Sequence, residues 1–170
     1  MKRFLYVFYV FALLIIFIPK ERIYFSIEAF LSDYHVFINN ENFTNHLIYL
    51  DVENAALALD NQSLASIQKI QIAPFLFYNR LSISNLSFSP YYHSFFPGSI
   101  DAIVLTYSIL APFEISIQGN GDFGQFRGEY DIINHKIRIV FEPTYQLRQY
   151  GFLVSKLHQE KEGLVYENTY

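Results

Sequence analysis

Phe4–Ile18 has the sequence FLYVFYVFALLIIFI, fifteen apolar residues without a break, with two basic residues before it. As a helix this segment would be about 22 Å long, against about 30 Å for the hydrocarbon core of a bilayer. It is short for a span, but apolar residues return at 23–25, and the ammonium group of Lys20 can extend to the lipid headgroups. We therefore predict that residues 1–22 form a cytoplasmic tip and a transmembrane anchor.

Two other interpretations of this segment stay open. It suits a cleaved signal peptide, although Ile18-Pro19-Lys20-Glu21 lacks the small residues of a cleavage site. It also suits a buried core helix, although such a helix usually has a polar stripe. The basic N-terminus favours a cytoplasmic N-terminus and an exported body. The predicted location is the bacterial inner membrane, crossed once, with residues 23–170 as a periplasmic β-rich domain.

The exported part is acidic and contains no cysteine. Without Lys2 and Arg3, ten basic residues remain against 16 acidic ones, a formal charge of −6. Nucleic-acid binding normally needs a basic surface, so we predict no nucleic-acid partner. The lack of cysteine excludes disulfides, iron–sulfur clusters and thiolate zinc sites.

Aromatic residues make up 19% of the chain and charged residues only 16%, against about 25% charged in typical domains. One explanation is an exposed apolar groove or a membrane-facing surface. The other is a genome whose base composition favours Phe, Tyr, Ile and Asn codons. Composition alone favours neither.

Lys20–His35 has the spacing of an amphipathic helix. Its apolar side chains fall on one face, formed by Ile23, Ile27, Phe30, Leu31 and Tyr34. Because it directly follows the predicted anchor, this helix would either lie in the membrane interface or cover a sheet. Covering a sheet is the commoner arrangement.

From Val36 onward the apolar period changes to two, which predicts strands separated by Asn, Asp and Ser turns. The predicted strands are Val36–Ile38, His46–Asn54, Ala55–Leu59, Ser66–Ala73, Arg80–Phe88, 101–109, 113–117, Phe126–Ile132, 137–141 and Leu164–Glu167. Tight turns are predicted at Gly119–Gly121 and Asn134–His135, and a helix at Leu147–Gln159. The predicted fold is mainly β: a transmembrane helix, an amphipathic helix, an antiparallel β-meander forming a curved open sheet or half-barrel, and a short C-terminal helix.

An open sheet with one apolar face must be covered by helices, lipid or another chain. If a groove is left open, alternation along the strands predicts its lining. The predicted lining residues are Phe75, Phe77, Leu81, Ile83, Ile103, Leu105, Tyr107, Phe113, Ile115 and Ile117. Tyr91–Ser99 is a long aromatic loop, which would act as a lid, touch the membrane, or fold back onto the body.

No motif predicts catalysis, and no cofactor or metal is expected. Gly119–Gly124 matches G-x-G-x-x-G, but a strand-like segment follows where a dinucleotide site needs a helix. The five histidines are scattered, without metal-ligand spacing. Asp51 and Glu53 share a strand face and could pair as acid and base, although a solvated face is the commoner reason for such a pair.

The order of elements, with the pattern G-x-x-x-G-E-Y-D-I-x-x-x-x-I-x-I-x-x-x-P over Gly124–Pro143, resembles the small type II secretion system protein N and its AsmA-like relatives. The resemblance implies a curved, partly open sheet with one apolar face. The larger AsmA-like proteins are associated with lipid handling between membranes. No catalytic residues come with the family.

The predicted function is that of a non-enzymatic accessory protein of the envelope or of secretion, anchored in the membrane and binding lipid acyl chains on an apolar sheet face. The alternative is a structural scaffold that binds envelope or secretion proteins without a ligand. A groove open in the isolated domain would favour the first, and an exposed protein-binding edge the second.

Overall fold

The computed structural model of the protein describes residues 2–60, 62–93, 95 and 98–170. These residues form three α-helices and eleven strands. The helices are α1 (Lys2–Ile16), α2 (Lys20–Asp33) and α3 (Gly151–Ser155). The strands are β1 (Val36–Asn39), β2 (Asn42–Asn45), β3 (Leu50–Leu59), β4 (Gln62–Pro74), β5 (Tyr78–Phe88), β6 (Ser99–Ser108), β7 (Ala111–Gly121), β8 (Gly124–Asp131), β9 (Lys136–Phe141), β10 (His158–Glu160) and β11 (Gly163–Thr169).

All eleven described strands belong to one open antiparallel sheet in the order β1-β3-β4-β5-β6-β7-β8-β9-β11-β10. Strands β1 and β2 pair with successive halves of β3, so they share one edge of the sheet. From β3 to β9 each strand pairs with the next one in the chain, because short connections favour antiparallel neighbours. The mainly-β, meandering fold predicted from the sequence is confirmed.

Contacts of α1 and α2 with the sheet show which end of the sheet lies next to α1. Helix α2 runs along the strand direction from one end of the sheet to the other. Lys20 Nζ at its start donates to the Leu47 carbonyl at 3.2 Å, and the His35 carbonyl just after its end accepts from the Asp60 amide at 3.3 Å. Phe11 of α1 lies 5.3 Å, ring to ring, from Phe77 in the β4–β5 turn. We call the end of the sheet that carries Leu47 and Phe77 the α1 end, and the other the opposite end.

One face of the sheet is apolar, and α2 covers its first half. Tyr24 of α2 packs with strand residues from β1, β3, β4 and β5 in a buried cluster. Its buried strand residues are Ile38, Leu50, Val52, Ala55, Ala65, Ile67, Ile70, Ile72 and Leu86. The predicted helix is therefore confirmed, and Ile23, Ile27 and Leu31 of its predicted apolar face pack on the sheet. The prediction is wrong for Phe30 and Tyr34, which are exposed, while Tyr24 is buried outside the predicted face.

A second cluster lies on the same face toward its other edge. It is centred on Phe123, Phe141 and the fully buried Leu147, and the segment from Leu147 to Leu157 packs over it. The predicted helix over Leu147–Gln159 is wrong in its backbone. The chain forms a 3₁₀ turn at Leu147–Gln149 and the five-residue α3, and then enters β10, because the free edge of β11 offers hydrogen bonds from His158 onward.

The predicted tight turn at Gly119–Gly121 is also wrong. These residues lie inside β7, and the turn falls at Asp122–Phe123. A Cβ on Gly119 would lie 2.3 Å from the ring of Phe126 and 2.6 Å from the Ala102 carbonyl oxygen. The glycine is thus required by packing across the strands. By contrast, the predicted turn at Asn134–His135 is confirmed, with the Asp131 carboxylate accepting from the Asn134 amide.

The predicted break between Asn54 and Ala55 is wrong, since β3 continues through it. Asn54 and Asn85 both take left-handed backbone angles, with φ of 59° and 52°, and both drop out of the strand pairing beside Gln68. Asn85 Nδ2 donates to Gln68 Oε1 across this row. Asparagine tolerates this conformation better than other non-glycine residues, so the strands continue in the same register past one unpaired residue where the sequence suggests a turn.

Among the described helices, none taken alone combines the length and apolar character of a membrane span. Arg3–Ile16 and Lys20–Asp33 together meet that requirement, as two segments with a 42° bend at the break between them.

Candidate functional site

An apolar groove of about 310 Å³ opens between α2 and the middle of the apolar face. Ile23 and Ile27 of α2 form one wall. Strands β4 to β7 form the other with Ile72, Ala73, Pro74, Asn79, Arg80, Leu81, Leu105, Tyr107 and Ile115. The groove lies between the two covers: α2 packs on β1, β3, β4 and β5, the C-terminal segment packs on β8 and β9, and part of β6 and β7 is left open. Its volume lies at the small end of the range for ligand pockets, about 300–1,000 Å³.

The strand register places seven of the ten predicted lining residues on this one face. Cross-strand partners in an antiparallel sheet point to the same side, and the pairs Leu81–Leu105, Ile83–Ile103 and Tyr107–Ile115 are partners. Ile117 pairs with Leu105 in the same row. Of these seven, Leu81, Leu105, Tyr107 and Ile115 line the groove itself.

The other three predicted residues lie at the α1 end of the sheet, outside the groove. Phe75 and Phe77 belong to the β4–β5 turn, and Phe77 contacts α1. Phe113 lies where β7 departs from its pairing with β6: Tyr107 pairs with Ile115, but Ser108 pairs with Ala111. Alternation along the strand therefore does not apply to Phe113, which is exposed.

The predicted groove lining was taken from alternation along the strands, so it did not include the residues of α2 that form the helix wall. Ile23 and Ile27 are separated by four residues on the apolar face of α2, so the signal was present in the amphipathic pattern. What the pattern lacks is the distance between helix and sheet, which decides whether a helix seals a face or leaves a groove beside it.

The groove is lined almost wholly by hydrocarbon. Arg80 is the charged residue of its lining, and its Nε donates to Ser82 Oγ at 3.2 Å, on the polar side of β5. The lining also includes the amide side chain of Asn79. A lining of this kind binds apolar groups through burial of their surface and offers little to a polar ligand.

A second cluster lies on the polar face, around the buried Asp51. Its Oδ2 accepts from Lys69 Nζ at 2.8 Å and lies 3.4 Å from His46 Nε2, and its Oδ1 accepts from Gln71 Nε2 at 3.0 Å. Burial raises the pKa of Asp51, but the hydrogen bonds from Lys69 and Gln71 outweigh it and hold the pKa below its usual value. Glu53, the other member of the predicted carboxylate pair, is exposed and lies opposite Lys69. Asp51 is thus an ionised carboxylate held within the sheet by its neighbours.

Three potential metal ligands meet on β10 and β11, although the sequence predicts no metal site. One ligand atom each from His158, Glu160 and Glu167 falls within 4.8 Å of the others. Both carboxylates already have cationic partners: Glu160 accepts from Arg138 Nη2 at 2.7 Å, and Glu167 pairs with Lys136. A cation at this site would have to compete with two permanent positive charges.

The aromatic loop lies at the opposite end of the sheet. Pro90–Tyr92 forms a 3₁₀ turn, and the ring of Phe95 lies 5.4 Å from that of Phe152 in α3. The contact agrees with one of the three arrangements expected for the loop, in which it folds back onto the body. Residues 94, 96 and 97 of the loop lie outside the described part of the chain.

Comparison of the chain with protein-family models, with curated proteins and with solved structures finds no match.

Proposed function

We propose that this protein is a membrane-anchored, non-enzymatic envelope protein that binds a lipid acyl chain in the groove between α2 and the sheet. The observation that carries the proposal is the groove itself, apolar on both walls and open beside the helix that continues α1. Apolar surface left open to water is costly, so a groove of this kind is normally occupied or covered.

The position of the groove relative to α1 supports a lipid as its occupant. Residues Phe4 to Val10 of α1 are exposed and apolar, which is the expected surface of a helix surrounded by lipid. Ile23 and Ile27 stand one and two turns into α2, directly after the junction with α1. An acyl chain that leaves the bilayer at this junction would reach the groove within two turns of α2.

The alternative, a scaffold that recruits a protein through its sheet edges, is less well supported. The edge strands β1, β2 and β10 have four, four and three residues. Short edge strands are a common device for preventing strand addition by another chain. A protein partner in the envelope, as in the secretion-system proteins that the sequence resembles, would need another surface.

Photo-crosslinking tests the acyl-chain proposal. The full chain is reconstituted in vesicles that contain a phospholipid with a photoactivatable group at the end of one acyl chain, and crosslinked peptides are mapped by mass spectrometry. We expect crosslinks at Ile27, Leu105 or Tyr107, in addition to those on α1. Crosslinks confined to α1 and to turns at the α1 end would reject the groove as an acyl site.

A matched pair of substitutions on β7 gives the control. Ile115→Trp fills the groove with a larger side chain and should abolish the crosslinks at Leu105 while the crosslinks on α1 persist. Phe113→Trp lies on the same strand, is already aromatic and exposed, and is outside the groove lining. It should leave the pattern unchanged.

A further inference from the structure

The turns at the α1 end of the sheet are apolar, although turns of this kind are usually polar. Four connections meet there: 46–49 between β2 and β3, 75–77 between β4 and β5, 109–110 between β6 and β7, and 132–135 between β8 and β9. Their sequences are HLIY, FLF, IL and IINH, without one Asp, Glu, Lys or Arg. Turns are normally built from Gly, Pro, Asn, Asp and Ser, because those residues supply the backbone angles and hydrogen bonds that turns need.

The apolar side chains of these turns point away from the core. Leu110 is 92% exposed, Leu47 65%, Ile133 60% and Phe77 50%. They come from four different hairpins and span the sheet from β3 to β9, so one local sequence bias does not account for them. Adjacent turns are also linked, since the Ile109 amide donates to the Phe77 carbonyl at 3.1 Å.

The opposite end of the sheet has a different character. Four of the five connections between strands at this end carry charged residues, namely Asp60, Asp122, Glu142, and Lys161 with Glu162. The fifth is the aromatic loop, and its Phe95 packs on α3. Exposed aromatic residues such as Tyr91 and Tyr145 occur at this end as well, but connections that lack any charged residue are concentrated at the end where α1 attaches.

We propose that the four apolar turns at the α1 end insert into the lipid surface, so that the sheet stands end-on at the membrane with its strands running away from it. The occupant of this surface is the bilayer, because the turns are continuous with the exposed apolar surface of α1 through the contact of Phe11 with Phe77. Exposed Leu, Ile, Phe and Tyr side chains gain free energy by entering the interface. This arrangement also brings the groove, whose lining includes Pro74 and Tyr107 beside these turns, next to the lipid.

The inference rests on the membrane attachment in the proposed function, but not on acyl binding in the groove. Tryptophan fluorescence of the full chain tests it, since the protein contains no tryptophan of its own. Three single variants, Leu110→Trp, Ile133→Trp and Tyr145→Trp, are reconstituted in phosphatidylcholine–phosphatidylglycerol vesicles. Emission is then compared with and without brominated phosphatidylcholine. Tyr145 is the matched control, because it is an aromatic residue, 77% exposed, in the connection after β9 at the opposite end.

We expect blue-shifted emission and strong quenching by the brominated lipid for Leu110→Trp and Ile133→Trp, and neither effect for Tyr145→Trp. Ile133 matters because its turn lies four strands from Phe77, where α1 makes contact. Quenching of a tryptophan at position 133 would therefore show that lipid contacts the whole end of the sheet and not only the turn beside α1.

Two outcomes would overturn the inference. If the protein floats with the vesicles but all three tryptophans stay unquenched, the anchor holds the body away from lipid, and the apolar turns are a surface for a protein partner. If all three are quenched alike, the body lies flat on the membrane. Neither outcome depends on groove crosslinks, so the two proposals fail separately.

Discussion

At the scale of single residues, Gly119 shows how a small residue in a strand can serve packing instead of a turn. The ring of Phe126, its cross-strand partner on β8, occupies the space where a side chain at position 119 would lie. Phe126 in turn stacks on Phe123, with ring centroids 5.5 Å apart, and lies 5.8 Å from Phe141. The glycine therefore lets the second apolar cluster extend across β7.

Gly119→Ala should lower the free energy of unfolding by about 1–3 kcal/mol, because the new methyl group overpacks a site with backbone on one side and a packed ring on the other. Gly151→Ala is the control: no atom lies within 4 Å of its added Cβ. Because Gly151 is in α3, alanine there should be neutral or slightly stabilising. Urea denaturation of both variants gives the comparison, and equal effects would contradict the packing role of Gly119.

At the scale of elements, the C-terminal segment covers its half of the sheet without forming a long helix. Thr144 Oγ1 accepts from the Leu147 amide at 3.1 Å and donates to the Phe123 carbonyl, which holds the start of the segment against the β7–β8 turn. The apolar residues that suggested a helix, Tyr150, Val154 and Leu157, do pack on the second cluster. The predicted packing side is thus confirmed while the predicted backbone is wrong.

Leu147→Ala should destabilise this half of the molecule by about 2–5 kcal/mol, because the side chain is fully buried in the second cluster. Amide hydrogen exchange resolves the effect by region. Protection should fall in β9 and β11 and change less in β3 and β4, which belong to the first cluster. Tyr145→Ala, two residues away and exposed, should leave exchange unchanged. Equal loss of protection in both halves would show that the two clusters unfold as one unit.

At the scale of the whole molecule, the sheet has two ends of opposite character and an apolar helix leaving from one of them. If α1 anchors the chain with its N-terminus in the cytoplasm, the opposite end faces the periplasm. The body carries a formal charge of −6 and is not drawn to anionic lipid, so its attachment to the membrane would depend on apolar contacts.

Cysteine labelling tests the orientation, because the chain has no native cysteine. Tyr145→Cys should react with a membrane-impermeant maleimide in intact cells whose outer membrane has been permeabilised. Leu14→Cys, in α1, should stay unlabelled even in broken membranes, since lipid would surround it. Labelling of Tyr145→Cys only after lysis would place the body in the cytoplasm and reject the predicted location.

Much of the secondary structure follows from the sequence, because local side-chain patterns determine it. Alternation predicts most of the strands of the meander, and the 3.6-residue period predicts α2. The failures occur where a distant contact overrides the local signal. Gly119 lies in a strand because of Phe126, and His158 joins a strand because β11 has a free edge.

The sequence by itself determined most of the element types, part of the apolar face of α2 and the alternation that puts Leu81, Leu105 and Ile115 on one side. Only the tertiary structure decided that α2 stops short of covering that side, which turns an apolar face into a groove. It alone brought four apolar turns, separated by tens of residues in the chain, to the end of the sheet where α1 leaves. The physical reason is that side-chain periodicity is a local property. The spacing of layers and the meeting of turns depend on long-range register and packing.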